Sequence, residues 1–129
     1  MKYGYIRSVQ RNEAREAMQK EALLSAGVSA DNIYVDHTSG RIFVDDRPGW
    51  TELVANVNAD DKLIIDRVDR IGRSELVIHS AITDLLDRGV TSHFLEVDID
   101  SSTRDGARDL KRMLGFMNLS KDSITTLTR

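Results

Sequence analysis

Residues 63–74 read LIIDRVDRIGRS, and this stretch decides how the rest of the 129-residue chain is interpreted. Three bulky aliphatic residues in a row are typical of a strand that is buried on both faces of a parallel sheet. The strand leads directly into a loop rich in acidic and basic residues. We therefore expect a buried parallel strand at 63–65 with a charged loop at its carboxyl end.

The charged loop has two interpretations. Ligands of open α/β sheets gather at the carboxyl ends of the strands, so Asp69, Arg70 and Arg73 are placed where a polyanion could be bound. Arginine suits that role because its planar guanidinium stays charged and can pair two phosphate oxygens at once. A solvated turn of compensating acid–arginine pairs accounts for the same residues, and the loop alone does not decide between the two.

Strand and helix patterns alternate on both sides of this stretch. We expect further strands at 3–7, 33–35 and 90–95, and helices at 13–26, at about 48–57 and at 74–89. In the first helix, apolar residues recur at roughly helical spacing: Ala14, Ala17, Met18, Ala22 and Leu24. Ser74 is a suitable N-cap for the third helix, and Pro48 suits the first turn of the second. The alternation predicts an α/β fold, a three-layer sandwich around a mostly parallel central sheet.

A last apolar stripe predicts a long C-terminal helix. It is formed by Ala107, Leu110, Met113, Leu114, Met117, Ile124 and Leu127. The stripe has two interpretations, ordinary core packing or a helix that projects from the domain to bind a partner. We expect one domain over residues 1–129, because the length suits a single hydrophobic core.

Composition limits the classes of function. The formal net charge of −3 argues against a protein that binds nucleic acid through its overall field, so phosphate contacts must come from local arginines. The chain has no cysteine, no apolar run of membrane-spanning length and no signal-peptide pattern, so we expect a cytoplasmic protein without disulfides. His37, His79 and His93 lack the spacing of metal ligands, so no metal site is expected.

The order of motifs resembles the catalytic domain of the serine recombinases, the resolvase and invertase family. The similarity runs nearly end to end and is carried by Gly4-Tyr5-Ile6-Arg7, Gln19, Asp36 with Ser39-Gly40, Arg47-Pro48-Gly49, and the segments 63–74 and 98–103. The most specific segment is 69–74, which reads DRIGRS where the family typically has DRLGRS.

The resemblance implies phosphoryl transfer on DNA without metal or other cofactor. In the family a serine attacks a DNA phosphodiester, forms a phosphoserine bond and releases a 3′ hydroxyl, and subunits exchange before religation. The resemblance assigns charge stabilisation to Arg7, Arg47, Arg70 and Arg73. Asp69 would exchange a proton with the leaving oxygen or orient these arginines, with Gln19, Asp36 and Ser39 in support. DNA and a homodimer or tetramer formed through the last helix are the implied partners, and another recombinase is a further one.

The nucleophile motif departs from the family pattern. The family reads Tyr-x-Arg-Val-Ser, whereas this chain has Tyr5-Ile6-Arg7-Ser8-Val9. Residues two apart share a face of a strand, so Val9 and not Ser8 inherits the direction of the family nucleophile. The segment from Arg7 to Gln19 is also one residue longer than usual, and a β-bulge at Ser8 would turn its hydroxyl back toward Arg7.

Two further departures concern the end of the chain. The last helix has Ser120-Lys121 and Thr126-Leu127 where the family commonly has Glu-Arg pairs. We expect no helix-turn-helix module for reading a DNA site in this chain, so these residues are either a fragment of a longer protein or a domain that has lost DNA specificity. Two hypotheses therefore stand: a recombinase domain that cleaves DNA through Ser8, or an inactive homologue that acts in dimerisation or regulation. A receiver-like signalling domain fits less well, since it needs an acidic cluster where this chain has Arg7.

Overall fold

The computed structural model describes residues 1–9, 13–39, 41–72, 74–113 and 115 of the chain. They form one five-stranded sheet with the order β2-β1-β3-β4-β5. The strands are β1 (Lys2–Ser8), β2 (Ile33–His37), β3 (Lys62–Ile65), β4 (Thr91–Phe94) and β5 (Ile99–Asp100). The helices are α1 (Glu13–Ser25), α2 (Pro48–Asn56), α3 (Glu75–Asp87) and α4, which is helical from 104 through 113. The first four strands are parallel and β5 is antiparallel, so the predicted mostly parallel α/β architecture is confirmed.

Alternation along the strands divides the core into two clusters, one on each face of the sheet. Tyr3 and Tyr5 of β1 belong to the larger cluster, which also takes in the buried residues of α2 and α3. Ile6 belongs to the smaller cluster, where it packs with Leu23 of α1 and with Ile64. The chain thus forms three layers, with α1 on one face of the sheet and α2 and α3 on the other.

Local signals fix the start of two helices as expected. The Ser74 hydroxyl accepts a hydrogen bond from the Val77 backbone N–H at 3.2 Å, which caps α3. Pro48 lies in the first turn of α2, where a missing N–H costs nothing. The loops that precede α2 and α3 follow the parallel strands β2 and β3, so they lie at the carboxyl edge of the sheet.

Two details differ from the sequence-based expectation. No strand was expected after residue 95, but Ile99 and Asp100 form the short strand β5 beside β4. In α1 the buried residues are Gln19 and Leu23, whereas Met18 and Leu24 of the apolar series are exposed. The inward stripe of α1 is therefore offset from its apolar pattern and carries polar side chains.

Several predictions fall on residues outside the described ranges. These are Arg73, Gly40, the positions 120, 121, 126 and 127, and the stripe residues Leu114, Met117, Ile124 and Leu127. In the part of the chain that is described, no helix has the length and apolar character needed to cross a membrane. The cytoplasmic location stays a prediction.

Candidate active site

The site lies where the carboxyl ends of β1, β2 and β3 meet. β1 ends in Arg7 and Ser8, β2 carries Asp36, and a 3-10 turn after β3 contains Asp69 and Arg70. Parallel pairing aligns these ends, with Arg7 opposite Asp36 and Ser8 opposite His37. Segments that are far apart in the sequence therefore meet at one edge of the sheet.

Arg7 is almost fully buried and is held by backbone carbonyls. Its Nε donates to the Arg70 carbonyl at 2.8 Å, its Nη2 to the Asp69 carbonyl at 2.8 Å, and its Nη1 to the Thr38 carbonyl at 3.0 Å. Burial lowers the pKa of Arg7 from its ordinary value, and the nearby charges of Arg47 and Arg70 act in the same direction. The pocket thus concentrates positive charge in a partly dehydrated place.

Arg47 is fully buried beside Arg7 and lies on the same side of the site. Its Nε and Nη2 donate to the Ile42 carbonyl at 3.1 and 2.8 Å. Its Nη1 approaches both the Tyr5 hydroxyl at 3.3 Å and the Arg70 carbonyl at 3.4 Å. The Arg70 carbonyl therefore accepts from two guanidinium groups, and this shared acceptor fixes how Arg7 and Arg47 sit relative to the turn.

Asp36 organises the protein around Arg47. Its carboxylate accepts hydrogen bonds from the Tyr5 hydroxyl at 2.8 Å and from the backbone N–H groups of Gly49 and Trp50 at 2.7 and 2.8 Å. A buried anion at the first turn of α2 is favourable because the helix N-terminus carries unsatisfied N–H groups. Burial raises the pKa of Tyr5 above its ordinary value of 10.0, and the hydrogen bond to Asp36 raises it further. Asp36 thus connects the end of β1 to the start of α2, and its supporting role in the site stays a prediction.

Arg70 is less buried than Arg7 and Arg47 and is paired with a carboxylate. Its Nε and Nη2 lie 3.2 and 3.3 Å from the two carboxylate oxygens of Asp66. In the same turn Arg67 pairs with Asp69 and with Glu96. The compensating acid–arginine pairs considered from the sequence are therefore present, together with the convergence of Arg7, Arg47 and Arg70. The Asp69 side chain is 53% exposed and engages Arg67, whereas its carbonyl binds Arg7.

A cavity of about 130 Å³ opens between these groups and the start of α1. Its walls are formed by Arg7, Ser8, Val9, Arg15, Asp69 and Arg70. Arg15 was not singled out from the sequence. Its only sequence signal is its place in the first turn of the helix that follows β1, which brings it to the carboxyl edge of the sheet. Three of its six lining residues are arginines and one is an aspartate, so the lining carries a net positive charge.

Ser8 is the last residue of β1 and is 4% exposed. Its hydroxyl donates to Oε1 of Glu16 in α1 at 3.2 Å, and His37 Nε2 contacts the same oxygen. Pairing with β2 remains regular through Ser8, so the β-bulge proposed for this position is absent from the described pairing. Val9 follows the strand and is 53% exposed.

The other two expected supporting residues have different surroundings. Gln19 is buried under the site, where its Nε2 donates to the Arg7 carbonyl at 3.4 Å; its Oε1 has no partner among the described residues. Ser39 stays outside the arginine cluster, and its hydroxyl accepts from the Arg41 backbone N–H at 3.2 Å. Among the residues that the structure describes, no group of three or more acidic, histidine or cysteine side chains is arranged to hold a metal ion.

Comparison with known proteins identifies the class. The family model described as "Resolvase, N terminal domain" matches residues 2–129, so the chain belongs to this family of serine recombinases. It is 33% identical over 129 residues to the DNA-invertase of Enterobacteria phage P7, covering all of this chain and 67% of that protein. It is 33% identical over 125 residues to the DNA-invertase hin of Salmonella typhimurium strain LT2, covering 97% of this chain but 63% of that protein.

Solved structures agree on the fold. The crystal structure of the N-terminal catalytic domain of TP901-1 integrase aligns over the full length of both chains with a TM-score of 0.77 and 20% sequence identity. A resolvase family site-specific recombinase from Streptococcus pneumoniae aligns with a TM-score of 0.68 and 17% identity, covering 98% of this chain and 91% of that one. The chain is therefore a resolvase-type recombinase domain that spans about two thirds of the two invertases it was compared with.

Proposed function

We propose that this chain is the DNA-cleaving domain of a serine recombinase, in which Ser8 attacks a DNA phosphodiester held in the arginine-lined cavity. The observation that carries the proposal is that Ser8 forms one wall of the same cavity as Arg7 and Arg70. The relationship to DNA-invertases supports DNA as the substrate. Assembly through the last helix and a site-specific outcome belong to the same proposal.

The arginines are suited to stabilise a phosphoryl transition state. Carbonyl oxygens already occupy three of the five N–H donors of Arg7, which fixes the direction of the guanidinium before any ligand binds. Arg70 is held by Asp66 alone among its described partners, so a phosphate can compete for its donors. One fixed and one adjustable cation then face the phosphoryl oxygens, and Arg73 is the further cation assigned by the family motif.

The reaction follows from this placement. Ser8 Oγ forms a bond to phosphorus, the bond from phosphorus to the 3′ oxygen breaks, and the phosphoserine bond keeps the energy needed for religation. Negative charge grows on the phosphoryl oxygens during this step, and preorganised guanidinium groups stabilise that charge.

Covalent trapping tests the proposal. The chain is incubated with DNA duplexes whose central base pairs are randomised, so that the unknown recognition site does not limit the reaction, and covalent adducts are mapped by mass spectrometry. We expect adducts on the peptide that contains Ser8, and at least a hundredfold fewer with Ser8→Ala. Ser92→Ala is the matched control, because Ser92 is a buried strand serine whose hydroxyl has no partner among the described residues. Adducts of equal yield in Ser8→Ala would remove Ser8 from the mechanism.

A second candidate function is that of a non-cleaving homologue that binds recombinase subunits. It is favoured by Val9 at the family nucleophile position, because a valine side chain cannot attack a phosphodiester. This function predicts DNA binding by fluorescence anisotropy without any adduct, and a complex with the phage P7 DNA-invertase in sedimentation. A monomer that ignores that invertase would count against it.

A further inference from the structure

The hydrogen bond between Ser8 and Glu16 joins the sheet to α1 at the edge of the cavity. Glu16 lies outside the segments that carry the family resemblance, and the site described above does not use it. Its side chain is only 19% exposed, which is unusual for a carboxylate unless it has partners. The question is what this carboxylate does beside a hydroxyl that is proposed to react.

The position of Glu16 follows from the helix period. Glu16, Gln19 and Leu23 are spaced three and four residues apart, so they form one stripe of α1 that faces the sheet. Leu23 packs in the core with Ile6, and Gln19 donates to the Arg7 carbonyl. Glu16 continues this stripe toward the strand ends, so the packing of α1 itself directs the carboxylate at Ser8.

The alternation of side chains along β1 directs Ser8 toward α1. Ser8 shares a face of β1 with Ile6, the face covered by α1, whereas Arg7 points to the opposite face. His37 is the register partner of Ser8 in the neighbouring strand. Its Nε2 contacts the same carboxylate oxygen that accepts the Ser8 hydroxyl, so Glu16 bridges the ends of two strands.

We propose that Glu16 is the general base that accepts the Ser8 hydroxyl proton during attack on the phosphodiester, with His37 holding the carboxylate in place. This inference rests on the proposed function of Ser8. The proton moves from Ser8 Oγ to Glu16 Oε1 while the bond from Oγ to phosphorus forms and the bond from phosphorus to the 3′ oxygen breaks. The leaving 3′ oxygen takes its proton from water. Glu16 is a catalytic residue in this scheme because it touches the attacking atom.

The neighbouring residue completes the arrangement. Arg15 lines the cavity together with Ser8, Arg7 and Arg70. Adjacent positions of α1 therefore offer a carboxylate to the nucleophile and a cation to the phosphate. Arg7 from β1 and Arg15 from the first turn of α1 therefore border one cavity, which Ser8 also lines.

The test compares Glu16→Gln with wild type in the adduct assay. Glutamine keeps the shape and the hydrogen bond but cannot take the proton, so we expect adduct formation to slow by about a hundredfold or more while DNA affinity stays within about twofold. Glu13→Gln is the matched control, because it makes the same chemical change on an exposed residue one turn earlier in α1. Trp50 fluorescence checks that each variant is folded.

Chemical rescue separates a base from a structural group. In Glu16→Ala, formate or acetate should restore adduct formation in proportion to its concentration, with no such effect on Ser8→Ala. A Glu16→Gln rate within threefold of wild type, or a Glu16→Ala rate that ignores added carboxylate, would overturn the role of Glu16 while leaving Ser8 as nucleophile. Undiminished adducts in Ser8→Ala would instead overturn the proposed function and this inference with it.

Discussion

Replacing Asp36 by alanine should destabilise the domain more than any other single change at the site. The carboxylate accepts three hydrogen bonds, from the Tyr5 hydroxyl and from the backbone N–H groups of Gly49 and Trp50, all between 2.7 and 2.8 Å. Alanine leaves these donors unsatisfied in a buried place, including two at the start of α2. Since α2 begins next to Arg47, the loss also loosens the guanidinium that shares the Arg70 carbonyl with Arg7.

The magnitude follows from the three bonds. Hydrogen bonds to a charged partner contribute about 1.5–3 kcal/mol each. Alanine also removes the desolvation cost of burying the carboxylate, and this offsets part of the sum. We therefore expect Asp36→Ala to lower the free energy of unfolding by about 3–5 kcal/mol, a large share of the roughly 5–15 kcal/mol of a small domain. Asp36→Asn should cost about half as much, because its amide oxygen still accepts while its NH₂ group faces another donor.

Urea unfolding followed by the fluorescence of Trp50 measures the effect directly. Trp50 is the single tryptophan of the chain, is buried, and meets the Tyr5 ring edge-on at 5.0 Å, so it reports on the same region. Asp31→Ala, an exposed aspartate in the turn before β2, serves as the control and should change the free energy by less than about 0.5 kcal/mol. A loss below 1 kcal/mol for Asp36→Ala would refute the reasoning.

Two further predictions concern the β5–α4 region and use the same unfolding assay. A Cβ on Gly106 would lie 1.8 Å from the Asp100 carbonyl oxygen, so Gly106→Ala should lower the free energy of unfolding by about 2–4 kcal/mol. Gly115→Ala, where nothing described lies within 4 Å, should be neutral or stabilising, and equal effects of the two variants would contradict this reasoning. Burial alone would raise the pKa of Asp100, but hydrogen bonds from Lys62 and Ser102 outweigh it and lower the pKa from 3.8 to about 2. A depressed carboxyl pKa stabilises the fold above pH 3.8, and this stability is lost as the pH falls through 2. The stability gap between wild type and Asp100→Asn should therefore be full at pH 7 and close below pH 2, and a gap independent of pH would exclude this linkage.

The sheet was predictable because its signals are local and strong. The aliphatic run at 63–65 became β3, and the alternation of strands and helices gave the three layers. The two-residue strand β5 was missed because Ile99 and Asp100 are too few for a period to show. The stripe of α1 was misplaced because its buried side carries Glu16 and Gln19, which a search for apolar residues passes over.

The candidate site was predictable only in part. Parallel strand ends had to meet, so Arg7, Arg47 and Arg70 were expected to converge. The Arg7 and Arg47 guanidinium groups do share the backbone carbonyl of Arg70, whereas the Arg70 side chain pairs with Asp66. The acceptors that hold them are backbone oxygens, which every residue carries, so no sequence pattern reveals them. The cavity contribution of Arg15 and the contact of Glu16 depend on how α1 rotates on the sheet, and that rotation is a property of packing.

The exchange of serine and valine has a different structural effect at the end of a strand than it would have inside the strand. Inside β1 a shift of one residue would turn the hydroxyl into the layer between the sheet and α1, away from the arginines. Ser8 is the last residue of the strand, where the covering layers end and both faces open on one cavity. A hydroxyl on the α1 face can therefore still border the cavity that Arg7 and Arg70 also line. The exchange of the two residues therefore brings the hydroxyl of Ser8 into contact with the Glu16 carboxylate of α1, whereas the side chain of Val9 is exposed.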